Sequence, residues 1–405
     1  MKTYSLFTII ILCIAILFVD VLAFYWLQSI TQLIISDLLR TSIYVLFWTF
    51  TLGLISSILV LKLRLDGLNP MRKHSLISSL YGLTVSSFIP KLIFVVIITI
   101  LYFTNHFFSE TESLIFVPLI GLLSGFLPFF VILYGIFKSL YHFKIHSHTL
   151  RFTNIPTSFN GLRIVQISDI HIGSFNYRYH ILDRAIKKIN SLQADYIFIT
   201  GDLVNNYAWE LHGWDKVFNK LKAKKGKYSI LGNHDYGDYS EWNSPEEKKE
   251  NLEVIKQFYH SIDFKLLMNE ANIITDENNE KIAVVGVENW GKPPFKQYGD
   301  LQKSLKEVKM IPFKILLSHD PTHWIEEVAN KTDISLTLSG HTHGMQAAFQ
   351  YKNFQWSPIK FKYKHWAGLY QQGKQYLYVN RGLGWLGFPG RLGMRPEITL
   401  IEIHN

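Results

Sequence analysis

Apolar positions follow two different patterns along this chain. Up to about residue 145 they form four long, nearly unbroken stretches: Tyr4–Leu27, Thr41–Leu63, one within Leu76–Phe103, and Leu114–Phe137. An α-helix needs about 20 apolar residues to cross the hydrocarbon core of a bilayer, so each stretch predicts a membrane span. From His146 onward, short apolar runs alternate with charged, amphipathic stretches. Leu162–Ile167, Tyr196–Ile199, Tyr228–Leu231, Lys281–Val285, Phe313–Leu317 and Ile334–Leu338 read as buried strands. Between the first two, Ile181, Leu182, Ala185, Ile186, Ile189 and Leu192 recur at helical spacing. Trp209–Lys224, Glu246–Ser261 and Thr322–Asn330 also carry helical patterns. Strands alternating with helices predict an α/β domain. The expected organisation is an α-helical transmembrane segment over 1–145 followed by an α/β domain over 146–405.

The third stretch is interrupted by Pro90-Lys91. A span over Leu76–Phe103 would put Lys91 at mid-membrane, where a charge costs several kcal/mol. The favoured expectation is therefore a span over Lys91–Phe108, with Leu76–Ile89 on the surface or re-entrant. Asp20, an acid without a partner motif, reads as a helix-end or inter-helix polar contact rather than a transport site. Lys62, Arg64, Arg72 and Lys73 flank the second connection, and Lys138, Lys144 and Arg151 follow the fourth span. The third connection carries Glu110 and Glu112 and no Lys or Arg. The positive-inside rule then places both termini, and with them the α/β domain, on the cytoplasmic side of the cell (inner) membrane.

Composition narrows the chemistry. Of 405 residues, 48% are hydrophobic, which excludes a disordered or fibrous chain. The first 145 residues hold only nine of the 41 Lys+Arg and five of the 32 Asp+Glu. A single cysteine, Cys13, excludes an intrachain disulfide and any Cys-based zinc motif. A metal site would have to use His, Asp, Glu or Asn. Lys222, Lys224, Lys225 and Lys227, and the run Lys360-Phe361-Lys362-Tyr363-Lys364, read either as solvated surface or as lipid-attracting patches. Membrane tethering argues against nucleic acid as a partner.

What ends each strand matters most. LRIVQIS runs into Asp169-Ile170-His171, YIFIT into Gly201-Asp202, and YSIL into Gly232-Asn233-His234-Asp235. FKILLS runs into His319, and ISLTLS into Gly340-His341-Thr342-His343. The C-terminal ends of strands are where α/β sheets place their sites. Asp169, His171, Asp202, Asn233, His319, His341 and His343 are seven oxygen or imidazole donors, too many for one tetrahedral metal. Two metals sharing a carboxylate would use them, and the mixed donors suit Mn, Fe or Zn. Such a pair can bind a nucleophile and a phosphoryl oxygen together. Gly201, Gly232 and Gly340 let the backbone turn tightly off each strand.

The order Asp-x-His, Gly-Asp, Gly-Asn-His-Asp, His, Gly-His-x-His resembles the calcineurin-like metallophosphoesterases, across about Leu162 to Asn405. Gly-His-Thr-His-Gly and the stretch from Arg381-Gly-Leu-Gly-Trp to Arg395-Pro-Glu-Ile-Thr-Leu are similar to the bacterial membrane-associated phosphodiesterase branch. The resemblance implies a four-layer αββα sandwich with a dimetal site at one edge. It assigns Asp169, His171, Asp202 and His343 to one metal, and Asp202 as the bridge with Asn233, His319 and His341 to the other. It gives His234 the role of assisting at the phosphoryl group or leaving oxygen, and Asp235 that of orienting ligands.

Departures from the family pattern refine this. No arginine follows Gly201-Asp202-Leu203-Val204-Asn205-Asn206, which argues against a phosphoprotein phosphatase. Asn205 stands where an acid often pairs with the catalytic histidine, so its side chain could accept a hydrogen bond from His234 but not support imidazolium charge. His323, four residues after His319, has ligand-like spacing but no ligand role left to fill. Arg381 or Arg391 is a candidate for contacting a substrate phosphate. Leu383–Leu392 either fills core beneath a turn-rich tail or forms a loop touching acyl chains. The expected activity is hydrolysis of a phosphodiester or pyrophosphate, of a lipid-linked or amphiphilic substrate, by metal-activated water. A UDP-2,3-diacylglucosamine pyrophosphatase is a concrete version, and a non-catalytic membrane phospho-ligand sensor is the alternative.

Overall fold

The computed structural model describes residues 5–108, 116–351 and 354–405. The chain forms two compact units, one made of Ser139–Leu386 with Arg391–Asn405, the other of the residues up to Lys138 with Gly387–Gly390.

The helical unit contains α1 (Leu6–Thr31), α2 (Asp37–Arg64), α3 (Pro70–Phe108) and α4 (Phe116–Phe137). All four are long and apolar enough to cross a membrane. Their outer faces leave Phe7, Phe18, Leu46, Phe107 and Phe130 exposed, as a surface solvated by hydrocarbon requires. The start of the first predicted stretch at Tyr4, Leu114, and the connection with Glu110 and Glu112 lie outside the described residues.

The third span differs from expectation. Leu76–Ile89 neither re-enters nor lies apart; α3 runs unbroken through Pro90 for 39 residues. The reason is a partner the sequence did not reveal. Lys91 Nζ lies 2.8 Å from Asp20 Oδ2, the Thr51 hydroxyl donates to the same carboxylate oxygen, and the ammonium sits 4.6 Å from the centre of the Phe47 ring. A paired, ring-covered lysine does not have to leave an apolar bundle. Asp20 is accordingly the inter-helix contact expected of it. Small residues let α3 and α4 approach: a Cβ on Gly121 would stand 2.9 Å from Ile98.

The other unit is built from β1 (Lys144–Arg151), β2 (Leu162–Ile167), α5 (Tyr179–Ser191), β3 (Tyr196–Thr200), α6 (Asp215–Phe218), β4 (Gly226–Ile230), α7 (Pro245–Ser261), β5 (Lys265–Leu266), β6 (Glu270–Thr275) and β7 (Lys281–Gly286). It continues through α8 (Leu301–Leu305), β8 (Lys314–Leu317), β9 (Leu336–Ser339), β10 (Phe349–Tyr351), β11 (Phe354–Trp356), β12 (Gly368–Gln372), β13 (Gln375–Val379) and β14 (Glu397–His404). Two six-stranded sheets result, ordered β1-β14-β2-β3-β4-β5 and β12-β13-β9-β8-β7-β6.

Strand alternation turns these sheets into four layers. Successive side chains point to opposite faces, so Ile164, Tyr196, Phe198 and Ile230 of the first sheet pack against Ile282, Val284, Ile315, Leu336 and Leu338 of the second. The opposite face of the first sheet, with Val165, Ile167, Ile197 and Ile199, is covered by Ile181, Leu182, Ala185, Ile186 and Ile189 of α5 and by Ile255, Phe258 and Tyr259 of α7. The outer face of the second carries Ala283, Val285 and Leu316 beneath Leu301 and Leu305 of α8. This is the αββα sandwich that the motif order implies.

Helix ends follow local chemistry. α7 starts at Ser244, whose hydroxyl accepts from Glu247 N at 3.2 Å, with Pro245 at its first position and Glu246 and Glu247 in the first turn. The helix expected over Trp209–Lys224 is broken instead, into a turn at Ala208–Leu211 and the short α6. Its apolar residues Leu211, Trp214, Val217, Phe218 and Leu221 are nonetheless buried in the core beside α5. The run predicted over Thr322–Asn330 forms one wide turn, Trp324–Val328.

Candidate metal centre

Parallel pairing of β2, β3 and β4 in one sheet, and of β7, β8 and β9 in the other, brings the C-terminal ends of these strands to one edge. The loops that follow cannot relax into ordinary conformations. Asp169, His171, Asp202, His341 and His343 all have positive φ, between 46° and 72°. For residues other than glycine this costs on the order of 1 kcal/mol each. Strain of that kind persists where surrounding structure enforces it, typically at functional sites. The glycines serve two ends. Gly201 has φ +91°, whereas Gly340 is needed for close approach: a Cβ there would collide with Ser168 Oγ and the Asp169 carboxylate.

Two groups of donors converge at this edge. In the first, His171 Nε2 and His343 Nε2 are 3.0 Å apart, and His343 Nε2 is 3.2 Å from Asp169 Oδ1. In the second, His319 Nε2 is 3.1 Å from Asp202 Oδ2, and His341 Nδ1 is 2.8 Å from Asn233 Oδ1. Asp169, His171 and His343 form one set that could hold a metal ion, and Asp202, His319 and His341 a second. The same Asp202 Oδ2 that meets His319 stands 3.6 Å from His171 Nε2, between the two groups.

Local electrostatics fit a cationic occupant. Burial drives His171 down to about 3 and His341 to about 4, and it lowers His343 as well, helped by His171. These rings are neutral at ordinary pH and offer electron pairs. Burial would also lower His319, but the Asp202 and Asp169 carboxylates raise it to about 10. Burial raises Asp169 to about 6, while Asp202 is held well below the usual range by His319 and His234 despite its burial. A divalent ion between the same carboxylates would take over the charge that a proton on His319 supplies.

Residues behind the donors fix their orientation. His319 Nδ1 donates to Thr200 O at 2.7 Å. Both oxygens of Asp169 accept from His341 N at 3.0 Å. Asp235 accepts from the backbone N–H groups of Asp202, Leu203, Val204 and Gly232, clamping two site loops together. His234 donates its backbone N–H to Asp202 Oδ1 at 2.9 Å, and its ring packs 5.1 Å from that of His171.

Some expectations are corrected. Arg391 is fully buried, and its guanidinium donates to the carbonyls of Arg381, Gly382 and Gly384. Arg381 is buried too, with Nη1 2.6 Å from Glu397 Oε2. Both arginines are thus committed to internal partners and hold the loop beside Asp169, where Gly384 N donates to Asp169 O. His323 stays outside both donor sets: its Nε2 donates to Glu327 Oε2, so its Nδ1 accepts from Ser318 Oγ at 2.8 Å. The segment Leu383–Leu392 divides between the two readings offered for it. Leu383 and Trp385 fill core, while Gly387–Gly390 belongs to the helical unit, where Phe388 meets Tyr81 edge-on at 6.3 Å. The Asn205 side chain does not serve His234; the backbone carbonyl does, accepting from Nδ1 at 2.7 Å.

Three residues were not singled out for the site. Tyr363 OH lies 2.8 Å from His341 Nε2, Asn233 Nδ2 donates to Tyr239 OH at 2.9 Å, and Glu210 holds the loop after Asp202. Tyr363 sits in a lysine-rich run and Tyr239 in a polar turn, neither of which carries a motif. Only the fold brings them in.

Residues 162–345 match the family model described as "Calcineurin-like phosphoesterase", and residues 5–140 match "Probable Calcineurin-like phosphoesterase, transmembrane domain". The chain is 31% identical over 267 residues to the "Uncharacterized metallophosphoesterase YkuE" of Bacillus subtilis, covering 64% of this chain and 84% of that protein. It is 30% identical over 279 residues to the "Transmembrane protein with metallophosphoesterase domain" of Danio rerio, covering 67% of this chain and 59% of that protein. For the Bos taurus protein of the same name the figures are 32% over 257 residues, 60% and 53%. The chain thus spans little more than half the length of these vertebrate relatives. Fold, site and relatives together define a membrane-associated, metal-dependent phosphoester hydrolase. The chain belongs to the calcineurin-like metallophosphoesterases.

Proposed function

We propose that the protein is a membrane-anchored dimetal phosphoesterase that hydrolyses a phosphodiester or pyrophosphate bond, with helices over 1–145 and a catalytic domain over 146–405 facing the cytoplasm. The observation that carries this reading is Asp202 Oδ2, placed 3.6 Å from His171 Nε2 and 3.1 Å from His319 Nε2, where one carboxylate oxygen can serve two ions. Asp169, His171, Asp202 and His343 would hold one ion, and Asp202, Asn233, His319 and His341 the other. Two divalent cations of the Mn, Fe or Zn type would supply positive charge for the phosphoryl oxygens and acidify a water.

The chain's own groups supply the rest. His234 is placed to give a proton to the leaving oxygen, since Nδ1 is engaged by the Asn205 carbonyl and Nε2 remains available. Tyr239, 4.7 Å from the His234 ring, and Phe295, 4.9 Å from the His341 ring, give the site apolar walls. An amphiphilic, lipid-linked phosphate ester is the favoured substrate class. Beyond the helices themselves, support comes from the stretch that follows His343. Phe349, Tyr351, Phe354 and Phe361 are exposed there, and Lys360 Nζ lies 5.9 Å from the Trp356 ring and 5.5 Å from that of Phe361. Aromatic rings with interspersed lysines suit an anionic lipid headgroup layer.

The test is hydrolysis of bis-p-nitrophenyl phosphate by the detergent-solubilised full-length protein with Mn²⁺. Turnover that His234→Ala reduces by about 100-fold or more, the scale of general-acid catalysis, supports the reading. Equal turnover by wild type and variant would remove His234 from the chemistry.

A further inference from the structure

We propose that Glu210 is a positioning residue for His234: its buried carboxylate fixes the loop whose Asn205 carbonyl decides which ring nitrogen of His234 serves the leaving group. The inference rests on the catalytic reading of His234 given above and adds to it a residue that no motif contains.

Glu210 is 2% exposed, and among the described residues no Lys, Arg or His is paired with it. Its partners are backbone N–H groups. Oε2 accepts from Asn205 N at 2.6 Å, and Oε1 from Asn206 N at 3.0 Å and Tyr207 N at 2.9 Å. Three consecutive amides turned toward one carboxylate define the path of the chain, and they compensate an anion that burial would otherwise disfavour. The molecule keeps space for this arrangement, because a Cβ on Gly173 would collide with Glu210 Oε2. Asn251 secures the far end of the same loop: its Oδ1 accepts from Ala208 N at 2.6 Å, and its Nδ2 donates to Asn206 O at 3.0 Å.

The loop so fixed presents one carbonyl to the site. Asn205 O lies 2.7 Å from His234 Nδ1. A carbonyl oxygen only accepts, so Nδ1 must carry a hydrogen, and Nε2 is the nitrogen that can gain and lose a proton. The Asn205 side chain is turned away, with Oδ1 accepting from Ser174 Oγ at 3.4 Å. This arrangement accounts for the tolerance of asparagine where an acid would otherwise orient the histidine. The orienting acceptor is the backbone, and the carboxylate that steadies it is five residues further along the chain.

In the step concerned, the oxygen of water forms a bond to phosphorus and the bond from phosphorus to the leaving oxygen breaks. The leaving oxygen takes a proton from His234 Nε2, and a proton from the attacking water replaces it. A misoriented ring should therefore matter most for leaving groups that need that proton.

The experiment uses full-length protein in detergent with Mn²⁺ and a series of aryl methyl phosphodiesters, from 4-nitrophenyl, which departs readily as the anion, to phenyl, which does not. Wild type, His234→Ala and Glu210→Gln are compared, with bound metal counted in each. The expected result is that the ratio of kcat for the 4-nitrophenyl ester to kcat for the phenyl ester rises by about tenfold or more in Glu210→Gln, and further in His234→Ala. Gly173→Ala, which crowds the carboxylate without altering its charge, should shift the ratio in the same direction and serves if Glu210→Gln does not fold. A steep series for His234→Ala with wild-type ratios in both loop variants would overturn this proposal alone. Wild-type ratios in His234→Ala would overturn the role of His234 and this proposal with it.

Discussion

His171 Nε2 and His343 Nε2 face each other at 3.0 Å, on buried and nearly stacked rings. Two imidazole nitrogens approach this closely when they share a proton or a cation, and Asp169 Oδ1 stands 3.2 Å from the second of them. His343→Ala removes one of the converging donors. It should lower the metal content of the purified protein and reduce phosphodiester turnover by more than the roughly 10- to 100-fold typical of losing an outer partner. Elemental analysis beside the assay checks both effects.

Tyr363 provides the corresponding outer partner. Its hydroxyl accepts from His341 Nε2 at 2.8 Å while His341 Nδ1 faces Asn233. Tyr363→Phe keeps the ring and loses that contact, so Mn²⁺ affinity should fall by about tenfold with little change in folding. Activity titrated against Mn²⁺ measures the shift.

Acid should weaken the fold through Glu397. Burial would raise its pKa, but the Arg381 guanidinium and the Tyr378 hydroxyl hold it at about 2. The unfolded chain binds this proton near pH 4.3. The stabilisation is therefore fully present above about pH 4.3 and is lost as pH falls from there towards 2. It amounts to about 3 kcal/mol. Denaturant unfolding between pH 6 and pH 3 should show stability falling more steeply for wild type than for Glu397→Gln, which starts lower at neutral pH.

In the helical unit, Asp20 and Lys91 should behave as a unit. Removing one partner of a buried ion pair typically costs 3–5 kcal/mol, because it leaves the other charge uncompensated. Asp20→Asn and Lys91→Met should each lower the melting temperature in detergent, and the double substitution should recover much of the loss. Additive losses in the double variant would show that the two groups act independently.

The strands bearing the candidate ligands were legible because each is a short Ile-, Val- and Leu-rich run closed by a chemically distinctive residue. β2 starts and ends where the pattern put it, and β3, β7, β8 and β9 lie within two residues of prediction. β14 was not legible as a strand, although Glu397–His404 pairs with both β1 and β2. Its partners are more than 200 residues away, so nothing local marks them. Trp209–Lys224 has apolar spacing that satisfies core packing without a continuous helix, and periodicity alone cannot separate those outcomes. Pro90-Lys91 misled for a related reason: the cost of a charge depends on its partner, and Asp20 lies 71 residues earlier. Arg381 and Arg391 looked like phosphate contacts because arginine often is one, and only burial and partners reveal them as internal braces.

The central claim is a two-metal site bridged by Asp202. Its most direct test is to count metal in the full-length protein after saturation with Mn²⁺ and removal of excess, with Asp202→Asn alongside. The account predicts two ions per chain in the wild type and fewer than two in the variant, with phosphodiester turnover lost in parallel. One ion or none in a folded, saturated wild type, or two ions retained by an active Asp202→Asn, would contradict it.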